Sequence, residues 1–179
     1  MIMLDDSQKK KLLEIARNSI ESYIRNAAIE PFEEHDPEFL KNRGAFVTIN
    51  IRGDLRGCIG YIHRDRPLYK VVSDMAIEAA SRDPRFPTIT ESELKDIHIE
   101  ISALSEFKKV HNPHEIKVGI HGLMIKKGFY SGLLLPQVAV EHRWDREKFL
   151  ANTCYKAGLP LDAWKKGAEI FIFSAEVFS

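Results

Sequence analysis

Leu55-Arg56-Gly57-Cys58-Ile59-Gly60 gathers a guanidinium, one of the two thiols in the chain and two glycines into six residues. A strand needed only for packing has no use for that mixture. If the run is a strand, period-two alternation sets Arg56, Cys58 and Gly60 on one face and Leu55, Gly57, Ile59 and Tyr61 on the other, so thiol and guanidinium are neighbours. A cation beside sulfur favours the thiolate, the form that acts as a nucleophile or contacts a metal. Against this stands the ordinary fate of a free cysteine, a small buried hydrophobe. Gly57 and Gly60 either bare their amides to an anionic ligand or let a helix pack closely.

Asp83-Pro84-Arg85-Phe86-Pro87 is the second candidate, because its prolines stiffen the backbone and fix where Asp83 and Arg85 point. Arg56 and Arg85 together offer paired donors for a carboxylate or phosphate. The alternative pairs each with a structural acid such as Asp83, Asp74 or Glu78. Glu78 and His121 are the candidates for moving protons, although no base stands at a diagnostic spacing from Cys58. His121 would equally serve to hold a hairpin through a backbone hydrogen bond. His111-Asn112-Pro113-His114 lacks the pattern of a metal motif, and there is no HExxH or paired-cysteine motif, so no metal ligands are assigned. The sequence names no cofactor.

These residues need a scaffold. Apolar residues from Leu12 to Ala27 recur at helical spacing, which predicts a peripheral helix over about 7–28 capped by Asp6 or Ser7, with Glu21 and Arg25 as a surface pair. Residues 30–44 read as a loop with at most a short turn. Ala45 to Ile51 alternates as a half-buried strand, and Arg52-Gly53-Asp54 signals a tight turn into an antiparallel strand over 55–62. Pro67 opens a helix to about Arg82, apolar around most of its circumference and therefore central to the core, with Asp74 and Glu78 left for water or a cleft. A short turn near 91–95 precedes a strand with Ile97, Ile99, Ile101 and Ala103 on one side. Residues 105–135 read as a smaller lobe or flap, with strands over 118–126 and up to Leu135 joined at Gly128. A short helix opens at Pro136, and Asp145 and Gly158 bracket a longer one. The chain closes on one strand, 170–178, with Phe171, Phe173, Ala175 and Val177 inward. The expected fold class is α+β: mostly antiparallel sheet with flanking helices, in two unequal lobes with a cleft between them.

At 179 residues the chain suits one domain with a core over about 7–178. Lysine plus arginine equals aspartate plus glutamate at 26 each, so no net field draws it to nucleic acid or an acidic membrane. The basic pairs Lys108-Lys109, Lys126-Lys127 and Lys165-Lys166 are scattered and read as solvated surface. Two cysteines far apart suit a reducing interior, and the start of the chain has no signal-peptide pattern, so the expected location is cytoplasmic. No apolar run is long enough to span a bilayer.

With the whole chain laid out, it resembles the AMMECR-type domain family. The resemblance rests on the Leu55–Gly60 signature and on Asp83-Pro84-Arg85-Phe86-Pro87. It continues through His121-Gly122-Leu123, Leu135-Pro136-Gln137-Val138-Ala139 and Lys156-Ala157-Gly158-Leu159. One departure is Thr88, where the family more often has a second proline. The resemblance implies a two-lobed α+β fold with no settled biochemical activity, and a pathway shared with Memo-type and radical-SAM-type proteins. Three functions stay open. The first is a small enzyme or enzyme subunit in which Arg56, Gly57, Gly60, Asp83 and Arg85 hold a small anionic ligand beside Cys58. The second is a non-catalytic adaptor that docks a partner protein. The third is RNA binding or modification, which the balanced charge and the absence of a stacking platform disfavour.

Overall fold

Two four-stranded sheets, each with its own helices, organise the chain. The structure, a computed structural model, describes residues 4–26 and 34–179. In chain order the elements are α1 (Asp6–Ile24), α2 (Pro37–Leu40), β1 (Ala45–Ile51), β2 (Asp54–Tyr61), α3 (Leu68–Ser81), β3 (Ile97–Leu104) and β4 (Lys108–Val110). They continue with β5 (Gly122–Lys127), β6 (Tyr130–Leu134), α4 (Pro136–Glu141), α5 (Arg146–Lys156), β7 (Glu169–Phe173) and β8 (Ala175–Phe178). Short 3-10 turns cover Glu91–Asp96, Pro113–Glu115 and Ala163–Lys165. Helices interspersed with antiparallel strands make the fold α+β.

The first unit holds the described residues up to Leu104 together with 176–179. Its sheet runs β2-β1-β3-β8, and α1 and α3 pack together on one face. Arg52 and Gly53 both adopt positive φ, 53° and 91°, which makes the two-residue turn whose twist matches the strands it joins. Val47, Ile49, Ile99 and Ile101 point into the helices, where Leu68, Val71, Val72 and Met75 of α3 meet them. Each such side chain contributes about 1.5–3 kcal/mol by leaving water. Asp5, rather than Asp6 or Ser7, caps α1, in a reciprocal box with Gln8 at 2.8 and 3.0 Å. The Glu21–Arg25 pair is present at 3.1 Å. Ala27, Ala28 and residues up to 33 lie outside the described residues.

The second unit, Ser105–Ala175, runs well past Leu135 and carries the sheet β4-β7-β5-β6 with α5 packed on β5 and β6. The strand expected from Val118 begins only at Gly122, because Gly119 at φ 83° carries 117–120 through a turn. Asp145 caps α5 by accepting the Lys148 N–H at 2.8 Å, and Gly158 ends it at φ 74°. The single closing strand expected over 170–178 is two. Ser174 and Ser105 exchange hydrogen bonds at 2.8 Å, and on either side the chain serves different sheets, β7 in one and β8 in the other. Ile170 and Ile172 therefore fill the core in place of Phe171, and Val177 is exposed.

Candidate functional site

Strand β2 is an edge strand, paired with β1 alone. Its register slips once, with Gly57 opposite Ile49 but Leu55 opposite Asn50, so Arg56 is an extra residue in a bulge. The expected alternation fails there. Arg56 leaves the Cys58 face, and its Nε and Nη2 grip both Glu93 oxygens at 2.9 and 3.2 Å. Nη1 donates to the Pro87 carbonyl at 2.6 Å, and Nη2 also reaches the Thr88 carbonyl at 3.3 Å. Arg56, helped by the Thr90 amide and hydroxyl, pulls the Glu93 carboxyl down to about 2. Of the two readings offered for Arg56, pairing with a structural acid describes its contacts, although the acid is Glu93 and not Asp83, Asp74 or Glu78.

Gly57 faces α3, where a Cβ would stand 2.1 Å from the Ala79 carbonyl oxygen. Its neighbour Cys58 points the other way, half-buried, and its sulfur accepts the Thr48 hydroxyl at 3.2 Å. The free edge of β2 at Cys58 is taken up by the loop after α3. Asp83, 2 % exposed, accepts the Cys58 N–H on Oδ2 at 2.9 Å, while Arg85 reaches the Cys58 carbonyl through Nη2 at 3.5 Å. Arg85 also closes a ring on Asp83, with Nε on Oδ1 at 2.9 Å and Nη2 on Oδ2 at 2.7 Å. The Arg85 guanidinium, then the Cys58 and Arg85 amides, hold the Asp83 carboxyl far below the usual carboxylate range. Asp83 in turn pushes Arg85 up. Burial at an open strand edge is thus made tolerable by a charge-assisted replacement for a missing strand. The Arg85 side chain is still 54 % exposed, its guanidinium carbon lies 5.4 Å from the Phe86 ring centroid, and its Nη1 makes no hydrogen bond among the described residues.

The pairing that fixes Cys58 also brings in Thr48 and Glu100, which no motif in the sequence marks. Cys58 stands opposite Thr48 on β1, and Thr48 stands opposite Glu100 on β3. Directly opposed residues in antiparallel sheet have Cβ atoms about 5 Å apart, so thiol, hydroxyl and carboxylate form one row across three strands. Glu100 is half-buried, and its carboxylate has no partner among the described residues. The signal was present in the Arg52-Gly53 turn, which sets the β1–β2 register, but the bulge hides it from simple counting.

The other expected site residues have their own work. Glu78 pairs with Arg82 one helical turn on, at 2.8 Å. Gly60 makes room for the Phe46 ring, which a Cβ would meet at 2.1 Å. His121 belongs to the second unit, where its Nδ1 accepts the Lys117 N–H at 3.2 Å and clasps the turn before β5. Burial, then the Lys117 and Lys108 cations, lower its pKa. A lowered folded-state value means stability that is whole above the unfolded histidine value near 6.5 and is lost as pH falls through the folded one. We expect the melting point of the wild type to fall faster than that of His121→Asn on acidification below about pH 6.5. Parallel curves would show that this ring nitrogen is not the acceptor.

The chain matches the AMMECR1 family model over residues 13–178. It is 45% identical over 185 residues to the Methanosarcina barkeri protein Mbar_A1807, covering 98% of this chain and 92% of that one. A Thermococcus onnurineus protein is 46% identical over 190 residues, covering 99% and 93%. In the crystal structure of the uncharacterized protein PH0010 from Pyrococcus horikoshii, the match has a TM-score of 0.87 at 40% identity and covers 97% of this chain and 92% of that one. With the signature at Leu55–Gly60 built as an edge-strand bulge and Asp83–Pro87 docked on its open side, the chain belongs to the AMMECR1 family.

Proposed function

We propose that the chain is an enzyme or enzyme subunit that holds a small anionic group against Cys58, with Arg85 rather than Arg56 as the receiving cation. The observation that carries this reading is the exposed, partly unused guanidinium of Arg85, tied to Asp83 and to the backbone of the residue that bears the thiol. Arg56 is the strut that fixes the 87–93 segment through Glu93. Thr48 donates to the sulfur, and Glu100, opposite Thr48 on β3, is the group that would receive the Cys58 thiol proton by way of the Thr48 hydroxyl. The protein partners implied by the family resemblance would supply or consume the ligand.

Alkylation of the native protein tests this. Iodoacetate carries a negative charge and iodoacetamide does not, so their rate ratio at Cys58, set against the same ratio for glutathione, reads the local field. A guanidinium a few ångströms away should favour iodoacetate by about fivefold. Arg85→Gln should abolish that preference, and Thr48→Val should slow both reagents. Cys154 is fully buried and serves as the silent control. A ratio equal to that of glutathione, or no reaction at Cys58 with either reagent, removes the anion-accepting role.

A further inference from the structure

The basic pairs Lys126-Lys127 and Lys165-Lys166 are far apart in sequence, but the second unit brings them to one place. The Lys127 ammonium donates to the Lys166 carbonyl at 2.7 Å, joining the β5–β6 hairpin to the segment after α5. Between them lies a pocket of about 440 Å³, within the range that takes a ligand or an anchoring side chain. Its floor is apolar, built from Leu159, Pro160 and Ala163, and its lip is Phe129 and Tyr130. Tyr130 is 58 % exposed, and Phe129 is wholly exposed at 106 %.

An aromatic ring left entirely in water is informative because of how it is held. Gly128 at φ 59° is the first of two central residues in the turn that joins Lys127 to Tyr130, so a tight hairpin, and not a slack loop, presents Phe129. Tyr155 and Leu161, on neighbouring stretches, are also exposed, at 75 % and 57 %. Rigid aromatic anchors around a concave apolar floor are what binding hot spots are made of. Charge selects the occupant. Lys127 is bonded to a neutral carbonyl and keeps its charge uncompensated, whereas Lys166 is paired with Asp162, and Lys165, outside the lining, lies over the Trp164 ring at 4.7 Å and pairs with Glu147 at 3.6 Å, so the lining carries one net positive charge, at Lys127.

We infer that this pocket is a docking site for an acidic segment of a partner protein, in which one aromatic or branched apolar side chain is flanked by Asp or Glu. The apolar residue fills the floor beside Phe129 and Tyr130, and a flanking carboxylate meets Lys127. A nucleic-acid strand fits less well, because its binding needs several cations along a path, whereas Lys166 is already paired with Asp162 and the floor is apolar.

Panning a random-peptide phage library on the intact chain tests the inference. Peptides enriched on the wild type should carry excess Asp and Glu around an apolar residue, and synthetic copies should bind at least about tenfold more weakly to Phe129→Ser and to Lys127→Glu. Both substitutions are on exposed side chains, and circular dichroism verifies the fold. Cys58→Ser should bind the peptides unchanged, which keeps this site separate from the thiol chemistry. Enriched peptides without acidic excess, or equal binding to Phe129→Ser, would overturn the inference. So would tighter binding of oligothymidylate than of any enriched peptide. Dimerisation of the wild type that Phe129→Ser abolishes would also overturn it, by assigning the surface to a second copy of this chain.

Discussion

Gly57→Ala should destabilise the protein by about 3 kcal/mol or more, at the upper end of what overpacking costs. The new methyl would stand 2.1 Å from the Ala79 carbonyl oxygen, with the Ala79 carbonyl carbon at 3.0 Å. Both atoms belong to the backbone of α3, so no side chain can swing away. The helix must retreat from β2 or the strand must bend outward, and α3 also packs on β1 and α1, so either movement loosens the core of the first unit. For a chain of this size the melting point should drop by about 10 °C, read by circular dichroism. Gly53→Asn is the control. Gly53 has positive φ but nothing within 4 Å of a built Cβ, and asparagine tolerates the left-handed region, so its cost should stay within about 1 kcal/mol. A melting point for Gly57→Ala within about 2 °C of the wild type would show that the helix–strand spacing yields and that Gly57 has another reason to be there.

What the sequence made legible follows from how local each signal was. Alternation in 45–51 and 97–103, the Arg52-Gly53 turn, the Ala-rich α3 and the Asp145 and Gly158 brackets of α5 all act within a few residues of themselves, and all appear in the structure. The failures came where a partner distant in sequence decides. Period-two counting puts Arg56 on the Cys58 face because a single strand cannot reveal that Gly57 and Leu55 face consecutive residues of β1 and leave Arg56 in a bulge. Glu93, its partner 37 positions away, carries no mark of that role in the sequence, because a 3-10 turn after two prolines gives no clue to its direction. Ile170 to Phe178 alternates without a break in composition and so reads as one strand, whereas the break is made by Ser105 gripping Ser174.

The same distinction separates the two halves of the candidate site. Arg56 and Arg85 are alike in type and in having an acid beside them, but they differ in what is left over. The Arg56 side chain is 15 % exposed and directs all three nitrogens to Glu93 or to loop carbonyls, so it fixes geometry. Arg85 spends Nε and Nη2 on Asp83 and keeps the other edge of its plane in solvent. A planar cation with one edge anchored and the other open is preorganised for an anion at little entropic cost.

Asp83→Asn should cost about 3 kcal/mol, the upper end of the loss expected when a buried carboxylate that satisfies several donors is neutralised. Asp83 keeps the free edge of β2 closed. Its carboxylate takes the Cys58 and Arg85 N–H groups and two guanidinium nitrogens at 2.7–3.1 Å, and the amide that replaces it has one acceptor oxygen for four donors. The melting point should fall by about 10 °C, and the Cys58 amide should exchange with solvent faster than its neighbours in β2. Arg85→Gln should cost less, since Arg85 is half exposed, and the double variant should lose less than the sum of the two. The pH dependence separates charge from shape. The folded-state pKa of Asp83 is depressed, so its contribution is whole above the unfolded value of 3.8 and drains away as pH falls toward the folded one. The gap in melting point between wild type and Asp83→Asn should therefore narrow as pH is lowered from about 5 to 2. A gap that stays constant over that range would mean that packing around the side chain, and not its ionisation, joins the 83–88 loop to the strand that carries the thiol.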